Sequence, residues 1–410
     1  MEPTTAAVQR RTLRVLSAAQ VLGGVAVGSA ISVSGLIAED VSGSTALSGL
    51  AQTSNVLGAA VAALPMSRLM SARGRRPGLV GGYLVALAGA GLMIVGTAQT
   101  SFGLVVLGAL LQGVATTANL QSRFAAADLA EPMHRGRALA TVVWATTIGV
   151  VLGPNLTGPG ASVARTVDLP DLAGPVLFSV VAFAMAAAVV HLGLRPDPLL
   201  TARRIAGTHD DDHSVPLSHS VRAVRSAPPA LLAMIAIAVA HTVMVSVMVM
   251  TPVHMRHEGA ELELVGLVIS LHVTGMFAFS PVVGWLVDRA GRVPVIVLGN
   301  VVLLCAVLVS GTTDDHGVLG GGLLLLGLGW SCVLISGSTL LSESVDVGVR
   351  PGVQGLSDFV MGMCGAAGGA LAGLVVDLSG YGLLNALSGV LVLPVLVLVM
   401  ATRRPAGVRP

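Results

Sequence analysis

The chain has 410 residues, 54% of them hydrophobic and 11% charged, with a mean hydropathy of +0.85. A water-soluble globular domain carries about 25% charged residues and a disordered chain is poor in apolar ones, so both classes are excluded. The net charge is only +2 and all 23 basic residues are Arg, so no basic nucleic-acid patch is on offer. The 51 Gly and 3% aromatic content suit small-residue packing between helices in lipid, and three Cys form no CxxC pair. The composition is that of a polytopic membrane protein.

A spanning helix needs roughly 20 mostly apolar residues, because a 30 Å hydrocarbon core is crossed at 1.5 Å per residue. Twelve such stretches follow one another, near 15–38, 44–66, 78–98, 102–124, 138–160, 173–194, 228–253, 263–286, 294–311, 317–340, 353–376 and 380–401. The first has no cleavage pattern and eleven more follow, so it reads as a span and not a signal peptide. With the N-terminus inside, every Arg except Arg165 and Arg256 falls on the inner side, while Glu39, Asp40, Asp168, Asp171, Glu258 and Asp315 fall outside. The positive-inside rule therefore predicts both termini in the cytoplasm, in a bacterial cytoplasmic membrane.

Residues 196–226 are the one long polar stretch and divide the chain into 1–195, a linker and 227–410. The linker holds His209-Asp210-Asp211-Asp212-His213, which reads either as a metal-binding tract or as a solvated connector.

The two halves echo each other at an offset of about 217 residues. Ser67-Arg68-Leu69-Met70-Ser71-Ala72-Arg73-Gly74-Arg75-Arg76 follows the second stretch, and Gly284-Trp285-Leu286-Val287-Asp288-Arg289-Ala290-Gly291-Arg292 follows the eighth. The second copy resembles the G-x-L-x-D-R-x-G-R signature of the major facilitator superfamily. Gln112-Gly113 and Arg135-Gly136-Arg137 are similar to the same family's pattern in the first half. The resemblance implies an all-α membrane protein of two pseudo-symmetric six-helix bundles, opening alternately to the two sides, and a monomer. In that family the conserved turn has a gating role, which the resemblance assigns here to Gly284, Asp288, Arg289, Gly291, Arg292, Gly74 and Arg75. Two positions depart from the pattern: Ser71 stands where the family has Asp, and Ala109 where proton-coupled exporters have Arg. Gly149-Val150-Val151-Leu152-Gly153-Pro154 resembles the antiporter motif of exporters, and reads equally as a Gly/Pro bend allowing close helix contact.

Ionisable residues at membrane depth are costly and are functional candidates by default. Arg123, Asp128 and Asp358 sit near span ends, as gate or snorkelling residues; His241 and His272 sit near mid-span. Met244-x-x-x-Met248 and His272-x-x-x-Met276 each place two soft donors on one helical face, with His241 one turn before Met244. Thioether and imidazole select Cu(I) over hard cations. A Met pair in such a helix is also ordinary packing. The two pairs are similar to the MxxxM and HxxxM motifs of CcoA-type copper importers, and this resemblance implies that Met244 and His272 are principal ligands with Met248 and Met276 as transfer partners. His254, Met255 and His257 at the outer end of the seventh span read as a metal entry site.

These observations predict a secondary transporter working by alternating access, importing copper or a related soft metal as cargo and needing no cofactor. The alternative is an importer or exporter of small organic molecules, with Met and His merely lining an apolar cavity. No nucleotide-binding GxxxxGK[ST] segment and no nucleophile–base pair is present, so an enzyme is not expected. The expected partners are the lipid bilayer and the transported solute.

Overall fold

A computed structural model describes residues 4–207, 216–313 and 315–402; the His209–His213 tract lies outside them. Among the described residues all regular structure is helical. Each apolar run forms a helix because lipid offers backbone groups no partner outside the helix itself, and the ends fall where local chemistry stops it. Helix α1 (Thr5–Ser42) starts at Thr4, whose hydroxyl accepts from the Ala7 amide, and stops at Gly43 with φ +66°. Helices α2 (Thr45–Arg73) and α3 (Arg75–Ala98) are separated by Gly74 alone, at φ +91°. Helices α4 (Phe102–Ala127), α5 (Arg135–Asn155), α6 (Thr157–Thr166) and α7 (Gly174–Gly193) follow. The predicted span 138–160 is thus broken after Asn155, where Pro154 lies inside the last turn and leaves a carbonyl without its helical donor.

Two short helices lie in the linker, α8 (Pro198–Ile205), capped by the Asp197 carboxylate, and α9 (Leu217–Ser226). Then come α10 (Pro228–His257), α11 (Leu262–Phe277), α12 (Ser280–Ala290), α13 (Arg292–Gly311), α14 (His316–Glu343) and α15 (Arg350–Thr402). The predicted span 263–286 is divided before Ser280, with Pro281 opening α12. Helix α15 holds two spans, separated at Gly380 with φ +83°. Among the described residues ten segments are long and apolar enough to cross a bilayer, with α15 counted once. Its division at Gly380, and α2 with its 29 residues, bring the architecture into line with twelve spans.

The chain clusters into two compact units that do not coincide with its sequence halves. The first takes residues up to Glu131, then Thr141–Arg222 and Asp346–Phe359, the start of α15. Its core lies between α1, α3, α4 and α7, around Leu16, Ile37, Tyr83, Met93 and Phe183. The second takes Pro132–Ala140, Ala223–Val345 and the chain from Val360. Its centre is α14, whose apolar window is the most buried in the molecule and against which α10, α11 and α13 pack.

Candidate functional site

The Arg-rich turn between α2 and α3 opens into a buried polar network within the first unit. Gly74 reverses the chain so that Arg75 begins α3 with its guanidinium fully buried. Its Nε and Nη2 donate to the two Asp128 oxygens at 2.8 and 3.1 Å, the forked geometry that makes Arg–carboxylate pairs strong. The same guanidinium reaches Gln354 Oε1 at 2.6 Å, on α15, and Gln121 Oε1 at 3.4 Å, on α4. Gln121 in turn donates through Nε2 to Asp358 at 2.8 Å, and Arg123 donates to the other Asp358 oxygen at 2.6 Å. Arg123 also bonds the Leu120 carbonyl and lies over the Phe124 ring. Arg75 belongs to the turn that the sequence singled out. Gln121, which joins the two ion pairs, and Gln354, which ties Arg75 to α15, gave no sequence signal, because a Gln in an apolar helix is unremarkable until its partner is known.

Asp197 and Arg203 brace this turn from the linker. The Asp197 carboxylate accepts from the Arg76 amide at 2.7 Å as well as capping α8. Arg203 donates to the carbonyls of Ser71 at 2.7 Å and Gly348 at 3.2 Å. Ser71 is itself buried, and its hydroxyl has no hydrogen-bond partner.

The related turn in the second unit keeps its carboxylate and uses it. Asp288 accepts from the amides of Gly136 and Arg137 at 2.8 and 3.0 Å, at the start of α5, where the helix dipole favours an anion. Gly284 is required there, since a Cβ would lie 2.4 Å from Ala140 Cβ. Gly291 holds φ +94°, and Arg292 forks onto Glu343 at 2.8 and 2.7 Å. Arg289 lies over the Trp285 ring at 5.5 Å.

The soft donors lie on two helices that both pack on a third. Helices α10 and α11 pack chiefly on α14 and touch each other little, because α14 occupies the centre of the unit. Met244 is buried on α10 and Met248 is half-buried one turn later. On α11, His272 is fully buried and Met276 half-buried. His272 Nδ1 donates to the Leu323 carbonyl of α14 at 2.9 Å, leaving a buried Nε2 with no hydrogen-bond partner. This face sits so close to α14 that a Cβ on Gly327 would come 2.8 Å from the Met276 nitrogen. Among the described residues no three His, Cys, Asp or Glu side chains gather as a metal site.

His241 belongs to a different group. Its Nδ1 accepts from Trp330 Nε1 at 3.1 Å, and Phe277 meets the Trp330 ring edge-on at 6.0 Å between centroids. Gly365 of α15 leaves the imidazole room, since a Cβ there would lie 2.5 Å from His241 Cδ2. Helices α10, α11 and α14 thus bring three rings together in a chain with only three Trp and seven Phe. Sequence reading did not single out Phe277, at the end of the next helix, or Trp330, 89 residues from His241 along the chain. At the far end of α10, His254 stacks on Tyr381 at 4.4 Å, Met255 is fully buried, and His257 is exposed. Of the three residues read as an entry site, His257 alone is fully open to the surface.

Gly153 and Pro154 lie in a glycine seam of the first unit. A Cβ on Gly153 would lie 2.8 Å from Gly28 Cα, and one on Gly149 would lie 2.6 Å from Gly24 Cα. The close-contact reading of this segment is therefore realised between α1 and α5.

A family model described as the Major Facilitator Superfamily matches residues 16–264 and 233–410, so between them its matches run from the first span to the end of the chain. The chain belongs to the major facilitator superfamily. It is a multi-pass membrane transporter and not an enzyme. It is 37% identical to the MFS-type transporter YddS of Bacillus subtilis, over 95% of this chain and 90% of that one. It is 29% identical to the riboflavin transporter RfnT of Brucella anthropi, over 98% of each. Among solved structures, the proton:xylose symporter XylE superposes with a TM-score of 0.76 at 14% identity, over 97% of this chain and 96% of that one. The human organic anion transporter MFSD10 superposes with a TM-score of 0.73 at 18% identity, over 97% and 100%. At such identities these structures speak for the fold alone.

Proposed function

We propose that this superfamily member carries a small organic solute across the bacterial cytoplasmic membrane by alternating access, both termini facing the cytoplasm, and that the solute is a planar heteroaromatic of the flavin class. The orientation rests on the Arg bias. The observation that carries the solute class is the ring group of His241, Phe277 and Trp330 in the second unit. Aromatic walls hold planar ligands by offset stacking and edge contacts, and the Trp330–His241 hydrogen bond fixes the orientation of both rings. The riboflavin transporter of Brucella anthropi, alignable over nearly the whole chain, supports the same class. Of the two sequence-based readings this is the organic-solute one.

Import of copper is the second reading, favoured by one feature: a backbone carbonyl orients His272 while its Nε2 lone pair is left unbonded, as in many metal-ligating histidines. Against it stands the sparse contact between the Met helix and the His helix, each of which packs chiefly on α14.

Tryptophan fluorescence separates the readings. Trp144 and Trp285 are both exposed at the unit surfaces, whereas Trp330 is buried. Riboflavin added to purified protein in nanodiscs is expected to quench Trp330 emission saturably, and Trp330→Phe is expected to abolish the saturable part. Absence of saturable quenching, together with tight Cu(I) binding lost in His272→Gln, would replace the flavin reading by the copper one.

A further inference from the structure

The buried network of the first unit contains two ion pairs of different kinds. Arg75 opens α3 and Asp128 caps the end of α4, consecutive helices packed along their length, and their pair persists in any motion that keeps those helices together. Arg123 and Asp358 lie on α4 and α15, 235 residues apart in sequence. Helix α15 begins in the first unit and continues from Val360 into the second, so the motion of alternating access pulls on the second pair while the first need not feel it. Both partners of each pair are about 1% exposed or less. Separating such a pair strands a charge in a low-dielectric site unless one partner is neutralised first. An Arg side chain does not lose its proton in a protein, so the carboxylate is the only partner that can be neutralised.

We infer that Asp358 is the proton-binding residue of this transporter: a proton taken up on its carboxylate releases Arg123 and Gln121 and frees the start of α15 from α4. The proton comes from bulk water, bonds to a carboxylate oxygen and leaves to bulk water on the other side when the Arg-rich end opens; no other bond changes. The inference rests on the transporter reading and not on the identity of the solute.

The surroundings of Asp358 fit this role. From α4 it meets Arg123 and, through Gln121, the Arg75–Asp128 pair contributed by α3 and α4. The same stretch of α15 packs on Ser67 of α2 at Gly355 and on Ser220 of α9 at Gly352, and neither serine titrates at physiological pH. On its own helix stands Arg350, and Arg203 of α8 holds the Gly348 carbonyl just before it. The two arginines and two carboxylates of the network balance, so one added proton leaves one net positive charge, which favours hydration and separation. Gln121 acts as the switchable member, donating to Asp358 only while that oxygen is a free acceptor and holding Arg75 through its other end.

Accessibility of Ser71 reads the lock without any solute. Ser71 is about 1% exposed beside this network, and Arg203 ties its carbonyl to the segment before α15. With Cys305, Cys332 and Cys364 replaced by Ala, the maleimide reaction rate of Ser71→Cys in nanodiscs is divided by that of exposed Thr166→Cys, which removes the pH dependence common to both thiols, and the same ratio in Asp358→Asn supplies the part particular to position 71. The ratio is expected to rise several-fold between about pH 8 and about pH 5.5, as a carboxylate neutralises. In Asp358→Asn it is expected to be high at every pH, while Asp358→Glu keeps the dependence. A ratio flat with pH in the parent background overturns the inference, as does a pH response that survives in full in Asp358→Asn. Failure of the flavin reading alters neither result.

Discussion

The segment Gly149–Pro154 is the place where a transport motif and a packing seam make opposite demands, and alanine substitution there has a calculable outcome. A Cβ on Gly149 would lie 2.6 Å from Gly24 Cα, 2.7 Å from the Val21 carbonyl oxygen and 2.8 Å from Gly24 C, all of them backbone atoms that cannot rotate away. Carbon atoms in contact rest about 3.5–4.0 Å apart, so α1 and α5 must separate by about 1 Å to admit one methyl group. The shift is felt along the seam, because Gly28 and Gly153 meet one turn further on at the same closeness. It also stretches the hydrogen bonds from Ser29 to the Gly153 carbonyl, 3.1 Å, and from Gln20 to Thr146, 2.8 Å. Overpacking costs about 1–3 kcal/mol and a lost hydrogen bond about 1 kcal/mol, so Gly149→Ala should lose about 2–4 kcal/mol. Gly24→Ala meets its nearest atom at 3.1 Å and should lose less. Gly158→Ala, with nothing within 4 Å, should be neutral or stabilising, since Ala is the better helix former. Thermal unfolding of the three purified variants in one detergent gives the order directly. Equal losses at Gly149 and Gly158 would refute the seam, as would wild-type stability in Gly149→Ala.

Two further outcomes follow from the paired turns. Arg292→Leu removes the forked bond to Glu343, whose side chain is 21% exposed, and should cost about 2 kcal/mol by the same unfolding assay, with Glu343→Gln milder because one hydrogen bond survives. Gly74→Ala and Gly291→Ala both force an L side chain into positive φ at about 1–3 kcal/mol. Gly74→Ala should be the worse of the two, since its Cβ would meet the Asp197 carboxylate at 2.7 Å while that of Gly291 has its nearest neighbour at 3.6 Å. A reversed order would show that Asp197 yields more easily than its bonds to α8 and to Arg76 imply.

The fold was legible because lipid makes hydropathy a nearly sufficient signal: every predicted apolar stretch lies on one or two helices. The places where a span divides were not counted in advance, although Pro154 and Pro281 stood in the sequence, since a proline inside a transmembrane helix either bends it or breaks it according to its neighbours. The conserved turns were legible from their glycines and arginines. What they touch was not. Asp288 finds the start of α5, and Arg75 finds Gln354, across 152 and 279 residues of chain. The Met and His spacings were legible as helix faces, but a face does not say which neighbour it meets. Met244 and His272 lie on consecutive helices, yet each of those helices packs chiefly on α14 rather than on the other. His241 was expected beside Met244 as a metal donor and instead accepts from Trp330, a contact between helices 89 residues apart.

The most direct test of the account is solute exchange by the purified protein in liposomes. Vesicles loaded with unlabelled riboflavin should draw in tracer riboflavin transiently, and Trp330→Phe, which keeps a ring in the buried position but loses the hydrogen bond to His241, should weaken that exchange while unfolding at a temperature close to the parent's. Vesicles that exchange no riboflavin but accumulate copper, in a manner abolished by His272→Gln and Met244→Ala, would contradict it.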